Sequence, residues 1–145
     1  FPDIEVYRKD NRNVTLYLEI KAQRRTFMSV EKILPESGLK PSETIALNLS
    51  DLLRYFEIQE RTGTPVFIMW CLMNRPCIVP KKEVHFYYQS CNELKNIYEK
   101  VQDKRRFRRE SGSGDVVDGE HKGVVVNYHF SLRELKLWNS LSDIQ

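Results

Sequence analysis

The stretch PDIEVYRKDNRNVTLYLEIKAQ, residues 2–23, has the clearest secondary-structure pattern in this chain. Its two apolar runs, Ile4 to Arg8 and Val14 to Lys21, alternate apolar and polar residues and are rich in valine, isoleucine and tyrosine. A period of two with this composition predicts two β-strands. The residues between them, Lys9 to Asn13, have the composition of a turn. The stretch therefore predicts an antiparallel hairpin.

The apolar side chains fix the register of this hairpin, because a one-residue slip would turn every side chain to the other face. The residues that must share the core face are Ile4, Val6, Leu16, Leu18 and Ile20. A five-residue turn then places Asp3 directly opposite Glu19, and a three-residue turn makes the two acids diagonal neighbours. In both registers their Cβ atoms lie about 5–8 Å apart.

The other face of the hairpin is polar. It carries Asp3, Glu5, Tyr7, Thr15, Tyr17, Glu19 and Lys21. Two carboxylates that face each other across strands destabilise a sheet unless water and salt screen them, one takes up a proton, or a cation binds between them. Oxygen-only ligands favour Mg²⁺ or Mn²⁺. Beside such a metal, Lys21 would hold or help deprotonate a water. The alternative is a solvated strand, on which an acid-x-lysine pattern is common.

The rest of the chain predicts alternating helices and strands. Residues 48–63 have helical periodicity, with Ser50 as the N-cap and Gly63 at the end. The buried stripe of this helix is predicted at Leu49, Leu52, Leu53 and Phe56. The further predicted elements are a loop at 24–44, a buried strand at 64–73, a returning strand at 77–80, a helix at 91–110 with a basic end, a flexible polar segment at 110–123, a strand at 124–130 and a capped terminal helix at 131–141.

The length indicates one domain over residues 1–145. The order of the predicted strands and helices indicates an α/β fold with a central mixed β-sheet flanked by helices. The three cysteines have no zinc-binding spacing, which favours reduced thiols in an intracellular, cytoplasmic protein. His85, His121 and His129 also lack metal-ligand spacing. The longest apolar run is far shorter than the ~20 residues that span a bilayer, so we expect no membrane association.

Pro2-Asp3 followed by Glu19-Ile20-Lys21 resembles the PD-(D/E)xK motif of the restriction-endonuclease-like nucleases. The succession LYLEIKAQ, LSDLLRYFEIQERTG and TPVFIMW is similar to the core of archaeal Holliday-junction resolvases and related repair or defence nucleases, over about residues 2–80. The resemblance implies a restriction-endonuclease-like core and a Mg²⁺- or Mn²⁺-dependent nuclease acting on DNA. It implies metal ligands at Asp3, Glu19 and the Ile20 carbonyl, with Lys21 positioning the attacking water.

The sequence departs from that family at its start. Members usually place a helix before the Pro-Asp strand, whereas this chain begins at Phe1. Without that helix the nuclease core would be incomplete; the alternatives are that it lies upstream in a larger polypeptide or comes from another chain. Relatives that cut two strands act as dimers, and by analogy the resemblance implies a homodimer. The alternatives are a non-catalytic module of the same fold that binds nucleic acid or a protein partner, and a hydrolase of another class that merely contains the hairpin.

Further residues are candidates for nucleic-acid contact. Polar side chains near the motif and the basic run KVQDKRRFRRE favour binding to phosphates, which makes affinity salt-dependent. The predicted contacts are Gln23, Arg24, Arg25, Tyr55, Gln59, Lys104, Arg105, Arg106, Arg108 and Arg109. The alternatives stay open: a strand-ending glutamine, a boundary tyrosine, and a solvated helix end whose cations suit the helix dipole.

Overall fold

The computed structural model describes residues 1–75, 77–108, 116–117, 120–121 and 125–139. Within these ranges the chain forms two larger sheets, a two-stranded ladder and three α-helices. The strands are β1 (Ile4–Tyr7), β2 (Val14–Gln23), β3 (Thr44–Asn48), β4 (Val66–Met73), β5 (Val84–Ser90), β6 (Arg106–Arg108), β7 (Val116–Val117), β8 (Glu120–His121), β9 (Val126–Ser131) and β10 (Lys136–Leu137). The helices are α1 (Val30–Ile33), α2 (Leu49–Thr62) and α3 (Cys91–Val101). No helix in the described ranges is long and apolar enough to cross a bilayer.

The larger sheet is mixed, with the strand order β1-β2-β4-β5-β10. Strands β2 and β4 are parallel, and the other neighbouring pairs are antiparallel. A parallel pair needs a long crossover connection, and here it runs through β3 and α2. The predicted mixed α/β architecture is confirmed at this level.

The hairpin of β1 and β2 has the register predicted for the five-residue turn. Ile4 pairs with Leu18 and Val6 pairs with Leu16, and the register shifts by one residue after Val6. The arginine at position 12 takes a positive φ of 54°, a conformation that turns accommodate. Continuing the register backwards by one residue brings Asp3 beside Glu19.

A second sheet, which the sequence did not predict as separate, has the order β3-β9-β6 and is antiparallel. Helix α2 contacts β4 of the larger sheet and both β3 and β9 of the second sheet. The main core is therefore built from one face of each sheet and from α2 and α3. Its fully buried side chains include Ile45, Leu52, Ile68, Trp70, Leu94, Tyr128 and Phe130.

The assignment of faces in β2 needs correction. The side chains of Leu16 and Leu18 are buried, but in a smaller cluster on the far side of the sheet. Tyr17, predicted on the polar face, belongs to the main core. Ile20 is 37% exposed, whereas Glu19 is only 6% exposed. The reason is that α2, α3 and the second sheet cover the face that sequence periodicity alone marks as polar.

Helix α2 begins earlier than predicted and buries a different stripe. Its N-cap is Asn48 rather than Ser50, and Leu53 is exposed while Tyr55 is buried. The predicted end is confirmed: Gly63 has a φ of 68°, and its N–H donates to the carbonyl of Gln59 at 2.9 Å. A left-handed residue of this kind favours glycine.

Several predicted elements differ from the structure. Residues 77–80 form a turn instead of a strand, and the returning strand is β5. Helix α3 ends at Val101; a 3₁₀ turn and the edge strand β6 follow, so the basic run is not a helix end. The capping box of Ser131 and Glu134 is present, but it caps only a single 3₁₀ turn before β10.

The segment predicted to be flexible, residues 110–123, is described only in part. Its described residues pair as the antiparallel ladder of β7 with β8, in which Val116 lies opposite His121. The prediction for the remainder of that segment falls outside the described residues.

Candidate functional site

The predicted site residues Asp3, Glu19 and Ile20 lie together where β1 begins beside β2. The backbone N–H of Asp3 donates to Glu19 Oε2 at 3.2 Å. In return, Asp3 Oδ2 accepts a hydrogen bond from the backbone N–H of Ile20 at 3.1 Å. The two acids are thus neighbours, and each carboxylate is compensated by a backbone donor.

Lys21 supplies the positive charge at this site. Its Nζ lies 2.7 Å from Glu19 Oε1 and 3.5 Å from Asp51 Oδ2, so the ammonium bridges two carboxylates. Burial acts to lower the pKa of Lys21, but the hydrogen bond to Glu19 and the neighbouring Tyr55 and Asp51 raise it more. The resulting pKa is above the ordinary lysine value, so Lys21 is a cation at neutral pH.

Tyr55 reaches the site from α2 and is 1% exposed. Burial and a hydrogen bond to Glu19 raise its pKa to about 12, so the hydroxyl stays protonated and donates to the carboxylate. Its ring also lies 5.8 Å from Lys21 Nζ. Tyr55, which the sequence suggests as a nucleic-acid contact, thus reaches Glu19 and Lys21 from α2; its contact with nucleic acid stays a prediction.

Asp51 is the site residue that the sequence analysis missed. Asp51 lies in the first turn of α2, where an acid is favourable for the helix dipole, so its position in the sequence has an explanation without a site. Asp51 and Tyr55 are four residues apart and share a helix face. Because the crossover from β2 to β4 runs through α2, that face lies over Lys21. The spacing was visible in the sequence, but the placement of the helix over β2 was not.

The chemistry of the predicted metal ligands fits Mg²⁺ or Mn²⁺, which prefer oxygen donors. The N–H of Ile20 donates to the Asp3 carboxylate. In an extended residue the N–H and the carbonyl point to the same side of the strand, so the Ile20 carbonyl also faces Asp3. Two carboxylates and one carbonyl are then available. In residues 1–75, 77–108 and 125–139, no group of three or more His, Cys, Asp or Glu side chains is arranged to hold a metal ion.

A polar cavity of about 240 Å³ opens beside Lys21. Both Lys21 and Asp51 line it, together with Asn48 at the N-terminus of α2. Its remaining walls come from Gln23, Phe27, Ala46, Leu47 and Asn127. The cavity provides the site with an opening next to its ammonium group.

The two predicted glutamines form hydrogen bonds within the protein. Gln23 Nε2 donates to the carbonyl of Ala46 at 2.5 Å, and Gln23 Oε1 accepts from the Ala46 N–H at 3.4 Å, which joins the two sheets. Gln59 bonds to Asn92 and to the N–H of Val66, which joins α2 to α3 and β4. Gln23 still lines the cavity beside Lys21, whereas Gln59 acts within the scaffold.

The predicted arginine and lysine contacts in the described residues are either buried or exposed. Arg105 is buried, pairs with Glu134 and donates to the carbonyl of Ser37 at 3.3 Å, so its guanidinium is a structural group. The exposed members are Arg24, Arg25, Lys104, Arg106 and Arg108. Arg109 lies outside the described residues. Arg24 and Arg25 directly follow β2 and are the exposed cations closest in sequence to Lys21.

Arg75, which the sequence analysis did not single out, holds the segment after β2. Its guanidinium is fully buried and donates to the carbonyls of Arg25 (3.2 Å), Ser42 (3.2 Å) and Thr44 (2.5 Å). Burial lowers its pKa. Arg75 thereby fixes the course of the chain that leads from the site to β3.

Comparison with known proteins gives no relative to set beside this geometry: no protein-family model matches the chain, and no curated protein or solved structure is significantly similar to it.

Proposed function

We propose that this chain is a metal-dependent nuclease that hydrolyses DNA phosphodiester bonds on a restriction-endonuclease-like core. The observation that carries the proposal is the contact of Asp3, Glu19 and Lys21 at one edge of the larger sheet. The parallel pair of β2 and β4 joined through α2 supports the proposed core. DNA is the proposed partner because exposed arginines follow the motif directly.

Asp3, Glu19 and the Ile20 carbonyl are the residues that would hold Mg²⁺ or Mn²⁺. A divalent ion bound there would polarise the phosphate and lower the pKa of a coordinated water. Lys21 does not act as a general base, because its raised pKa keeps the ammonium group protonated. An ammonium group has three donors. Glu19 and Asp51 account for two, and the third is directed to a scissile phosphate oxygen or to the attacking water.

The second candidate function is a non-catalytic module that binds nucleic acid. One observation favours it: the charges of the site are compensated within the protein. Lys21 neutralises Glu19, and the N–H of Ile20 donates to the Asp3 carboxylate. A module of this kind would bind nucleic acid through its exposed arginines and would need no metal.

Replacing Lys21 separates the two candidates. In Mg²⁺ or Mn²⁺, we expect the Lys21→Ala variant to cleave fluorescently labelled DNA about 100-fold more slowly than the wild type, because a charge placed on the reacting phosphate is lost. Affinity for the same DNA should fall much less than the cleavage rate, because Lys21 contributes one phosphate contact and the exposed arginines contribute the others. The matched control is Lys9→Ala, which removes an exposed lysine at the far end of the same hairpin.

Three outcomes are informative. Loss of cleavage in Lys21→Ala alone supports the nuclease. Wild-type protein that binds DNA with no cleavage in either metal supports the binding module instead. Cleavage that survives in Lys21→Ala contradicts the role assigned to this lysine.

A further inference from the structure

A second cavity, of about 300 Å³, lies next to the polar cavity and is mostly apolar. Its lining includes Phe27, Phe107, Asn127 and His129, and the side chains of α1 close the opposite wall. Phe27 and Asn127 line both cavities. The polar cavity beside Lys21 and the aromatic one are therefore adjacent and share part of their walls.

The outer face of the second sheet contributes to the wall that the two cavities share. Asn127, the second residue of β9, lies opposite Asn48 of β3 on one side and opposite Phe107 of β6 on the other. His129, two residues further along β9, points to the same face. A row of side chains thus runs from the N-terminus of α2, beside Asp51, to the edge strand β6.

The aromatic walls are held rigidly. The His129 ring nitrogen Nδ1 donates to the carbonyl of Arg105 at 3.0 Å, and its ring meets Phe27 edge-on at 5.3 Å. Burial lowers the pKa of His129, so the ring is neutral at pH 7. Phe27 follows the segment that Arg75 fixes through the carbonyl of Arg25. A wall ordered before binding loses little entropy when a ligand stacks on it.

Lys21 is suited to bind a phosphate, and the neighbouring cavity has aromatic and amide walls that suit a base. Together they match the chemical groups of a nucleotide. Aromatic rings stack on bases of any sequence. The Asn127 amide offers both a donor and an acceptor to a base edge. The exposed Arg24 and Arg25 lie between Lys21 and Phe27 in sequence and supply further positive charge for a backbone.

We propose that the cavity of Phe27, Phe107, Asn127 and His129 takes an unstacked nucleobase from the nucleotide next to the phosphate held at Lys21. This inference rests on the proposed function for its ligand class. A base inside a duplex cannot reach a separate pocket without leaving the stack. The substrate class is therefore nucleic acid with unpaired bases, either single-stranded or with an extruded nucleotide.

The test is a binding experiment without divalent metal, so that cleavage plays no part. A fluorescein-labelled single-stranded DNA oligonucleotide, its duplex, and versions of the strand with one abasic site at each successive position are titrated with protein, and fluorescence anisotropy is recorded. We expect the wild type to bind the single strand on the order of tenfold more tightly than the duplex. One abasic position should lose a similar factor, because one stacked base is missing.

The variant Phe107→Ala should bind the intact single strand on the order of tenfold more weakly. The abasic site that weakens wild-type binding should not weaken the binding of Phe107→Ala further, because this variant already lacks the contact between the ring and that base. Phe107→Trp should keep the affinity, and its melting temperature shows that position 107 tolerates substitution. The control is Val84→Ala, which removes an exposed apolar side chain of β5 that lines neither cavity, and which should change nothing.

Different results would contradict the base pocket and the proposed nuclease activity. Base-dependent binding without any cleavage in Mg²⁺ supports the pocket and contradicts the nuclease. Cleavage with equal affinity for single strand and duplex contradicts the pocket and leaves the nuclease standing. The pocket is also contradicted if the losses of binding free energy from Phe107→Ala and from the abasic site are additive. Absence of binding to every oligonucleotide contradicts it as well.

Discussion

Lys21 is the residue around which the charges of the site are arranged. Glu19 and Asp51 hold its ammonium, and Tyr55 donates to the carboxylate of Glu19. The neighbourhood of Asp3, Glu19 and Lys21 could be predicted from the period of two and the turn length, because both act locally. The contribution of Asp51 could not, since it depends on the way α2 packs across β2.

The pair of Lys21 and Asp51 should have a measurable coupling energy. We expect Asp51→Asn to lower the free energy of unfolding by about 1 kcal/mol, because the variant loses a partly buried ion pair and a helix N-terminal acid. The same substitution in a Lys21→Met background should cost about 0.5 kcal/mol less. Urea denaturation of the four proteins gives the coupling. Equal costs in both backgrounds would show that the two side chains do not interact.

His129 should make the protein less stable in acid. Its pKa is lowered by burial, so below about pH 6.5 the unfolded chain takes up a proton that the native ring does not. Stability therefore falls as the pH drops below about 6.5, by up to about 1.4 kcal/mol per pH unit from this group. Urea denaturation at several pH values should show a shallower dependence for His129→Gln. A dependence unchanged by the substitution would contradict the burial of a neutral ring.

Among the secondary-structure elements, the sequence predicts correctly the features that depend only on neighbouring residues. The hairpin register and the end of α2 at Gly63 are confirmed. Strands β3 and β6 were missed because they are short and their partner β9 is distant in sequence. Strand β5 was missed because its seven residues mix aromatic and polar side chains on both faces, which weakens the period of two.

The joint between the two sheets depends on Arg75. Replacing it with methionine leaves the carbonyls of Arg25, Ser42 and Thr44 without their buried donor. We expect Arg75→Met to lower the free energy of unfolding by about 3 kcal/mol in urea. The exposed Arg61 of α2 offers a control, since Arg61→Met removes an equal charge at the surface. A change no larger than that of the control would mean that Arg75 does not hold the joint.

At the scale of the whole molecule, the sequence predicts a mixed α/β architecture, which the structure confirms, but not the second sheet. Helix α2, which packs against both sheets, places Tyr55 and Asp51 over Glu19 and Lys21, so a strand that reads as solvated in the sequence becomes the floor of a site. Only pairing between distant segments produces this arrangement. The central claim is that the arrangement binds a divalent cation.

Thermal unfolding with Mg²⁺ or Mn²⁺ tests that claim most directly. At a metal concentration about 100 times the dissociation constant, binding to the native state adds about 2.7 kcal/mol. This stabilisation raises the melting temperature by several degrees, at roughly 3 °C per kcal/mol. The wild type and the control Asp10→Asn, which changes an exposed acid in the hairpin turn, should both show the shift, and Asp3→Asn should lose it. An unchanged melting temperature of the wild type in millimolar metal, or an equal shift in Asp3→Asn, would contradict the account.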